Sequence, residues 1–596
     1  MKNAISPHQF HIPVMGIAYT IDSPVKVAHF GINSSISIIE DHLIEKMRAY
    51  YYKLNQKKYI PISKNEVNFR AKRITDYLNL INTEVKKKVE EVKTAAFSAT
   101  SDITKYFEML PEMSELKQKY LRFIQLEDVS DKKTLEKELR DQVKPGAIEV
   151  NVMTKVDREQ MGKNKEPIEN GSDALQALKG YAESDLENST LVFSAGMNPR
   201  LFNYLSTFSS FQPDRNGFFN KAIAIKVSDY RSALIQGKYL AKRGIWVSEF
   251  RIESGLNCGG HAFATDGFLL GPILEEFKQK KEELTSELKT LYQNSFSEEM
   301  PCNQLPDIKI TVQGGIGTFE EDMFLKNYYK VDATGWGSPF LLCKEATNVD
   351  TETLEKLQKA KERDIVLSHS SPLGVRFNYL KGATGEDYRR INLLKNKPGS
   401  SCPEKLLQSN TEFTEQPICT ASHKYQKLKI AHIQQLDLPE EEKEKESKLV
   451  YQKECLCAGL CNTAAINYDF QFVKHMDFVT VCPGPNLAYF SGNYSLKELV
   501  DHIYGRKNVL SGYRPHMFIK ELQLYIDYLK ELRESTDFSN KREVKKYERF
   551  LQNLKQGIAY YKQLFTQESL KDSPFITDLL LCENDLNESN LKTEVA

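Results

Sequence analysis

Net charge is missing from this chain. Lys and Arg together number 81, and so do Asp and Glu, in 596 residues. With no global field to draw in polyanions, nucleic acid is not an expected partner. Long apolar runs are missing too. None approaches the ~20 residues that a membrane helix needs, so no membrane partner is expected. The opening residues, MKNAISPHQFHIPVMG, lack a charged start followed by an apolar core and a small-residue cleavage site. No secretory signal is therefore expected, and the expected location is cytoplasmic. Cysteine is sparse, with ten residues in all. In so long a chain these are expected as thiols or ligands rather than as a disulfide framework. No internal repeat is visible. No G-x-G-x-x-G fingerprint appears either, which argues against a separate Rossmann domain.

What is present is an ordinary globular composition, 40% hydrophobic and 27% charged, with enough length for two or three domains. Residues 12–18 read as a strand. The turn Asp22-Ser23-Pro24 leads from there into a helix over 25–30. From 38 to 145 Lys and Glu dominate and glycine is almost absent. Ile74, Tyr77, Leu78 and Ile81 fall at i, i+3, i+4, i+7 and predict one apolar helical face. This region is read as a helical insertion, ended by Lys144-Pro145-Gly146.

From 146 to about 350 strands and helices alternate. Residues 147–153, 190–194, 222–227, 246–252, 308–312 and 330–333 read as strands. Repeated strand–helix units imply parallel strands with right-handed crossovers. Seven or eight such strands fit a (β/α)8 TIM-like barrel, and a doubly wound open sheet is the alternative. The expected division is a barrel from 1–37 and 146–380, the helical insertion 38–145, and a cysteine-bearing, mostly helical C-terminal extension 381–596. Within the extension, the charge run at 440–446 predicts a solvated helix or linker. Leu522, Tyr525, Ile526 and Leu529 predict an amphipathic helix.

Three small-residue clusters could carry chemistry. Gln313-Gly314-Gly315-Ile316-Gly317-Thr318 lies between a strand and a helix. Amides exposed by consecutive glycines at a helix start suit a phosphate. Gly335-Trp336-Gly337-Ser338 follows the next strand. In a (β/α)8 barrel the loops after strands seven and eight often share one phosphate, although two unrelated tight turns would read the same. Cys258-Gly259-Gly260-His261 also lies between a strand and a helix. Its glycines permit close backbone approach, and its histidine can move a proton near neutral pH.

The order of several segments resembles the nitronate monooxygenase (2-nitropropane dioxygenase-like) family of FMN-dependent barrels, which includes FMN-dependent enoyl reductases. The segments are Ile12-Pro13-Val14-Met15-Gly16, Glu149-Val150-Asn151-Val152, Ile225-Lys226-Val227-Ser228, Glu253 with Gly259-Gly260-His261, Gly314-Gly315-Ile316, and Gly337-Ser338-Pro339-Phe340. The resemblance implies FMN as cofactor, with NAD(P)H as a transient donor. Met15 and Gly16 would line the flavin ring by backbone contacts, together with Gly260. Asn151 would hydrogen-bond the ring, and Lys226 would sit near its pyrimidine end. Gly314, Gly315, Gly337 and Ser338 would hold the phosphate. His261 would be the catalytic acid/base.

The chain also departs from that family. Residues 254–258 lengthen the approach to Gly259, and Ala262-Phe263 follow the histidine. A second stretch, 363–465, resembles longer members of the same superfamily that carry a cysteine-bearing tail. Cys402, Cys419, Cys455, Cys457, Cys461 and Cys482 cluster within about 80 residues of the extension. Their C-x-C-x3-C spacing matches no zinc ribbon or ferredoxin run, so metal ligands and buried thiols both remain readings.

The functional expectation is oxidation of a nitronate or related carbanion, a small-molecule substrate. The alternatives are NAD(P)H-dependent reduction of an enoyl thioester, or a non-enzymatic barrel scaffold. The helical regions are where a second copy or a protein partner would dock.

Overall fold

A computed structural model describes residues 6–153, 157–162, 164, 166–259, 266–297, 300–400, 405–567 and 574–591. Eight strands close a barrel: β1 (Phe10–Ile12), β2 (Asn33–Ser37), β3 (Ile148–Val152), β4 (Ser189–Phe193), β5 (Lys221–Val227), β6 (Glu249–Glu253), β7 (Lys309–Gln313) and β8 (Ala333–Gly335). Every neighbouring pair is parallel, and β1 pairs with both β2 and β8. The fold is a (β/α)8 TIM-like barrel, and the open sheet is excluded. Most strand residues are buried on both faces, as expected where helices cover a parallel sheet.

The strand expected at 330–333 stands at Ala333–Gly335, the one expected at 246–252 begins only at Glu249, and two more strands differ further. The first ends at Ile12, because Pro13 follows and Gly16 takes φ +58°; residues 13–22 form a loop over the barrel mouth instead. The second, Asn33-Ser34-Ser35-Ile36-Ser37, carries no apolar run and was not expected. It faces a polar barrel interior, where Ser35 Oγ donates to Glu149 Oε2 at 2.5 Å.

The insertion is entirely helical and forms the crossover from β2 to β3. Its helix Phe69–Thr94 buries Ile74, Tyr77, Leu78 and Ile81 completely. That face packs on helix Asp173–Ala182. A Cβ added to Gly180 would stand 2.7 Å from Ile74 Cβ, so glycine sets the approach of the two helices. Buried Arg70 ties the insertion to the end of β2 through the carbonyls of Ile38 and Ile39.

After β8 the chain folds back over the mouth. β9 (Ile365–Ser368) and β10 (Phe377–Leu380) form an antiparallel pair outside the barrel. Helix Leu456–Asn467 then lies over the opening and is apolar on nearly all sides because it is enclosed. The 440–446 charge run begins an exposed helix, Glu440–Tyr451. Helix Met517–Ser535 buries Leu522, Tyr525, Ile526 and Leu529 against the rest of the protein. Among the described residues, no helix is long and apolar enough to cross a membrane.

Candidate active site

The C-terminal ends of the barrel strands aim polar side chains into one cavity of about 380 Å3. Ser37, Asn151, Lys226, Glu253 and Gln313 form its floor, one each from β2, β3, β5, β6 and β7. Leu373, Val375, Phe377, Leu406, Leu456 and Leu460 form an apolar roof, all from the chain beyond β8. A larger cavity, about 510 Å3, opens at the other end of the barrel between lysines and carboxylates. That end carries the strand starts, whereas chemistry on this fold sits at the strand ends.

Three of the floor side chains form one hydrogen-bonded chain with His11. Lys226 Nζ lies 3.2 Å from Glu253 Oε1, and Gln313 Nε2 donates to the same oxygen at 2.8 Å. Gln313 Oε1 lies 3.2 Å from His11 Nε2. With the Gln313 nitrogen committed to Glu253, His11 must donate through Nε2. Burial lowers the His11 pKa, and Arg251 adds to that, so the ring is neutral. Below it Arg251 forks onto Glu149 at 2.8 and 3.0 Å and reaches Glu249 at 2.7 Å. Burial alone would raise the Glu149 carboxyl, but Arg251 holds it down to about 2. This charged layer makes the barrel interior polar up to its mouth.

Two polar atoms at the mouth stand out. Asn151 Oδ1 and Asn257 Oδ1 are buried and accept no hydrogen bond from a described residue. Both residues line the cavity.

Beside it, Gly314, Gly315, Gly337 and Ser338 line one smaller space with Asn257, Cys258 and Gln313. The two glycine turns therefore face each other, at the same end of the barrel as the cavity. Gly314 and Gly315 take φ +102° and +80°. A Cβ on Gly315 would stand 2.6 Å from Leu256 Cδ1, and one on Gly337 3.0 Å from Cys258 Cβ. Among the described residues, none accepts a hydrogen bond from the amides of Gly314, Gly315 or Gly337. The carbonyls of this turn are held from behind. Arg514 donates to Gly315 O, Asn486 Nδ2 to Ile316 O at 2.8 Å, and His502 Nε2 to Gly317 O at 2.9 Å. All three belong to the C-terminal extension, and Arg514 also pairs with buried Glu321 at 2.6 Å.

These glycine amides suit an anion, and the mouth offers Lys226 as a donor and Asn151 and Asn257 as acceptors. The room between the glycine turns is small, about 10 Å3, roughly that of one water. Asn486 lines it, and residues 482–484 pack beside it. Ser338 Oγ donates to Pro483 O at 2.6 Å, and Gly259 N to Cys482 O at 3.2 Å. A phosphate enters only where those residues give way.

Of the residues expected from sequence, Gly16, Asn151 and Lys226 share the mouth cavity, and Gly314, Gly315, Gly337 and Ser338 share the adjoining space. Met15 lines neither. It is fully buried, its amide donates to Thr20 Oγ1 at 3.2 Å, and Gly259 covers its backbone. Lys226 is not an isolated cation, because Glu253 neutralises it. Gly260 and His261 lie outside the described residues, as does Cys402.

Glu253 enters the site through its pair with Lys226. Gln313 and Asn257, the latter two residues before Gly259, also line the mouth. For Glu253 and Gln313 the place at a strand end was the available signal. Nothing local marks Asn486, His502 and Arg514, which reach the site from far along the chain.

Cys258 Sγ donates to Cys482 O at 3.3 Å, and burial raises its pKa well above the ordinary thiol value. Cys455, Cys457 and Cys461 lie in or at the start of the enclosed helix over the mouth. Among the described residues, no group of three or more His, Cys, Asp or Glu side chains is arranged to hold a metal ion.

No protein-family model matches the chain, and no curated protein matches it in sequence. Among solved structures it is similar to the enoyl reductase domain of MlnA from the macrolactin biosynthesis cluster of Bacillus amyloliquefaciens. The match is 14% identical, covers 67% of this chain and 88% of that one, and has a TM-score of 0.34. A likeness this remote carries no argument about activity.

Proposed function

We propose that this chain is an FMN-dependent oxidoreductase acting at the barrel mouth on a small molecule with an apolar body. The observation that supports it most is the pair of buried, unpartnered oxygens, Asn151 Oδ1 and Asn257 Oδ1, beside a turn of unpartnered glycine amides. A buried acceptor without a donor costs about 1–3 kcal/mol. A ligand carrying an N–H edge at one end and an anion at the other would remove both penalties together.

When bound, the flavin would supply hydride and electron transfer. Asn151 would accept from the ring's N–H edge. Lys226, held in place by Glu253, would donate to its carbonyl edge. Gly314, Gly315, Gly337 and Ser338 would take the phosphate. His261 would hold or accept the substrate proton, and the roof would exclude water from it. The primary reading of the substrate is a nitronate or related carbanion. The roof of leucines, valine and phenylalanine also favours a second reading, an enoyl thioester reduced with NAD(P)H as transient donor, because it suits an acyl body.

Purified protein tests this. A yellow protein absorbing near ~450 nm is expected. FMN should bind at least about ten-fold more tightly than riboflavin if the glycine turns take the phosphate. A colourless protein that takes up neither would sink the proposal. Oxygen uptake with nitroalkanes, against NAD(P)H oxidation with an enoyl thioester, separates the two substrate readings.

A further inference from the structure

The barrel helix Leu270–Gln293 follows the loop that carries Asn257, Cys258 and Gly259. Its N-cap residue is Leu269, which has no side-chain acceptor for the first helical amides. A helix of this length needs those amides satisfied, and its N-terminal dipole favours negative charge. The missing groups come from far along the chain. Glu521 Oε2 accepts from the Leu270 amide at 2.7 Å, and Tyr561 Oη accepts from Gly271 at 3.1 Å.

The other Glu521 oxygen serves the opposite end of the same loop. Oε1 accepts from Ser254 Oγ at 2.7 Å and from the Gly255 amide at 3.2 Å. Ser254 directly follows β6, and Leu270 begins the helix, so one carboxylate ties both flanks of the loop. Glu521 is 2% exposed, and its three partners are all donors. One helical turn further on, Tyr525 closes over Gly255, where an added Cβ would stand 2.8 Å from Tyr525 Cε1.

We infer that Glu521 is a positioning residue for the mouth. By bridging Ser254–Gly255 to Leu270 it sets where Asn257, Cys258 and Gly259 meet the cavity, so the C-terminal extension completes the site. This goes beyond the redox reading and does not need a flavin. A glutamine at this position keeps one acceptor oxygen and loses the other, so it can hold only one flank of the loop.

The test is alkylation of the full-length protein with iodoacetamide, read peptide by peptide by mass spectrometry. Cys258 reports the loop. Cys582, buried in helix Pro574–Leu591 against the Glu521 helix, reports that helix's own packing. In Glu521→Gln the Cys258 rate should rise about ten-fold while Cys582 stays at the wild-type rate. Equal rises at both cysteines would mean a general loosening, and no rise at Cys258 would mean no clamp. Either overturns the inference.

Should Glu521→Gln not fold, Glu521→Asp keeps both acceptor oxygens but is one methylene too short to reach both flanks, and should raise the Cys258 rate in the same way. In the wild type, hydrogen exchange gives a reading free of mutation. Leu270 and Gly271 amides should exchange as slowly as those in the middle of their helix. Exchange at the rate of an uncapped first turn would overturn the clamp. A colourless protein would end the flavin reading and leave these outcomes intact.

Discussion

Gly259 lies flat on the backbone of Met15: a Cβ added to it would stand 2.4 Å from the Met15 Cα and 2.7 Å from the Gly16 nitrogen. Gly259 also takes φ +82°. The turn that opens the Gly-Gly-His loop and the loop after β1 therefore share one contact surface, with no room between them.

Gly259→Ala should cost about 2–4 kcal/mol, from left-handed strain plus a clash with backbone that cannot yield. Urea denaturation measures the loss. A cost below about 0.5 kcal/mol would mean that the loop sits elsewhere in solution.

Lys226→Met leaves the Glu253 carboxylate with Gln313 as its remaining mouth partner. Both members of the pair are largely buried, at 12% and 16% side-chain exposure. The expected loss is about 1–3 kcal/mol, less than for a fully enclosed pair. The double variant Lys226→Met with Glu253→Gln should recover part of it, because no unpaired charge remains. Additive losses in the double-mutant cycle would argue that the two side chains do not interact.

Arg251→Met removes the cation that bridges Glu149 and Glu249. Its side chain is 2% exposed, so about 3–5 kcal/mol should be lost at neutral pH. The pH dependence has a definite sign. The Glu149 pKa falls from 4.5 unfolded to about 2 folded, through Arg251 acting against burial. Its contribution is therefore full above pH 4.5 and disappears as pH falls towards 2. The stability gap between wild type and Arg251→Met should narrow over that interval. A gap independent of pH would rule out this account.

His516 caps helix Met517–Ser535, the helix that carries Glu521, by accepting from the Phe518 amide at 3.2 Å. Burial lowers its pKa from 6.5 to about 4, with Glu321 opposing and Arg514 assisting. The ring is neutral when folded and charged when unfolded between those values. Its contribution is thus present above pH 6.5 and lost as pH falls to about 4. Asparagine also caps helices and does not titrate there. His516→Asn should therefore show a smaller fall in melting temperature between pH 7 and 5 than the wild type. An identical fall would assign the acid sensitivity to other groups, such as buried His8 and His29, both lowered to about 3 by burial.

On the proposed FMN reading, His261→Ala should leave flavin binding intact and reduce turnover by at least about a hundred-fold, as for a lost general acid or base. Steady-state rates beside the absorbance spectrum check both halves. Unchanged turnover would remove His261 from the chemistry.

The barrel itself was legible from β-branched residues at alternate positions between turn signals, such as Val150 and Val152, Ile225 and Val227, and Ile310 and Val312. The insertion was legible from the spacing of Ile74, Tyr77, Leu78 and Ile81. β2 was not, because Ser34, Ser35 and Ser37 serve a polar interior that local composition cannot reveal. The glycine turns after β7 and β8 were legible as pairs of small residues after strands, and closure of the barrel brings them together.

What the chain determined by itself was thus its periodicity and the places where only glycine can stand. The tertiary structure decided the rest. It turned Lys226 into half of an ion pair, buried Met15 beneath Gly259, and brought Asn486, His502, Arg514 and Glu521 to loops 170 or more residues upstream. It also filled the space behind Ser338 with residues 482–486. Hydrogen bonds and exclusion of volume act between atoms near in space, whatever their separation along the chain. No local pattern of residues could have announced those contacts.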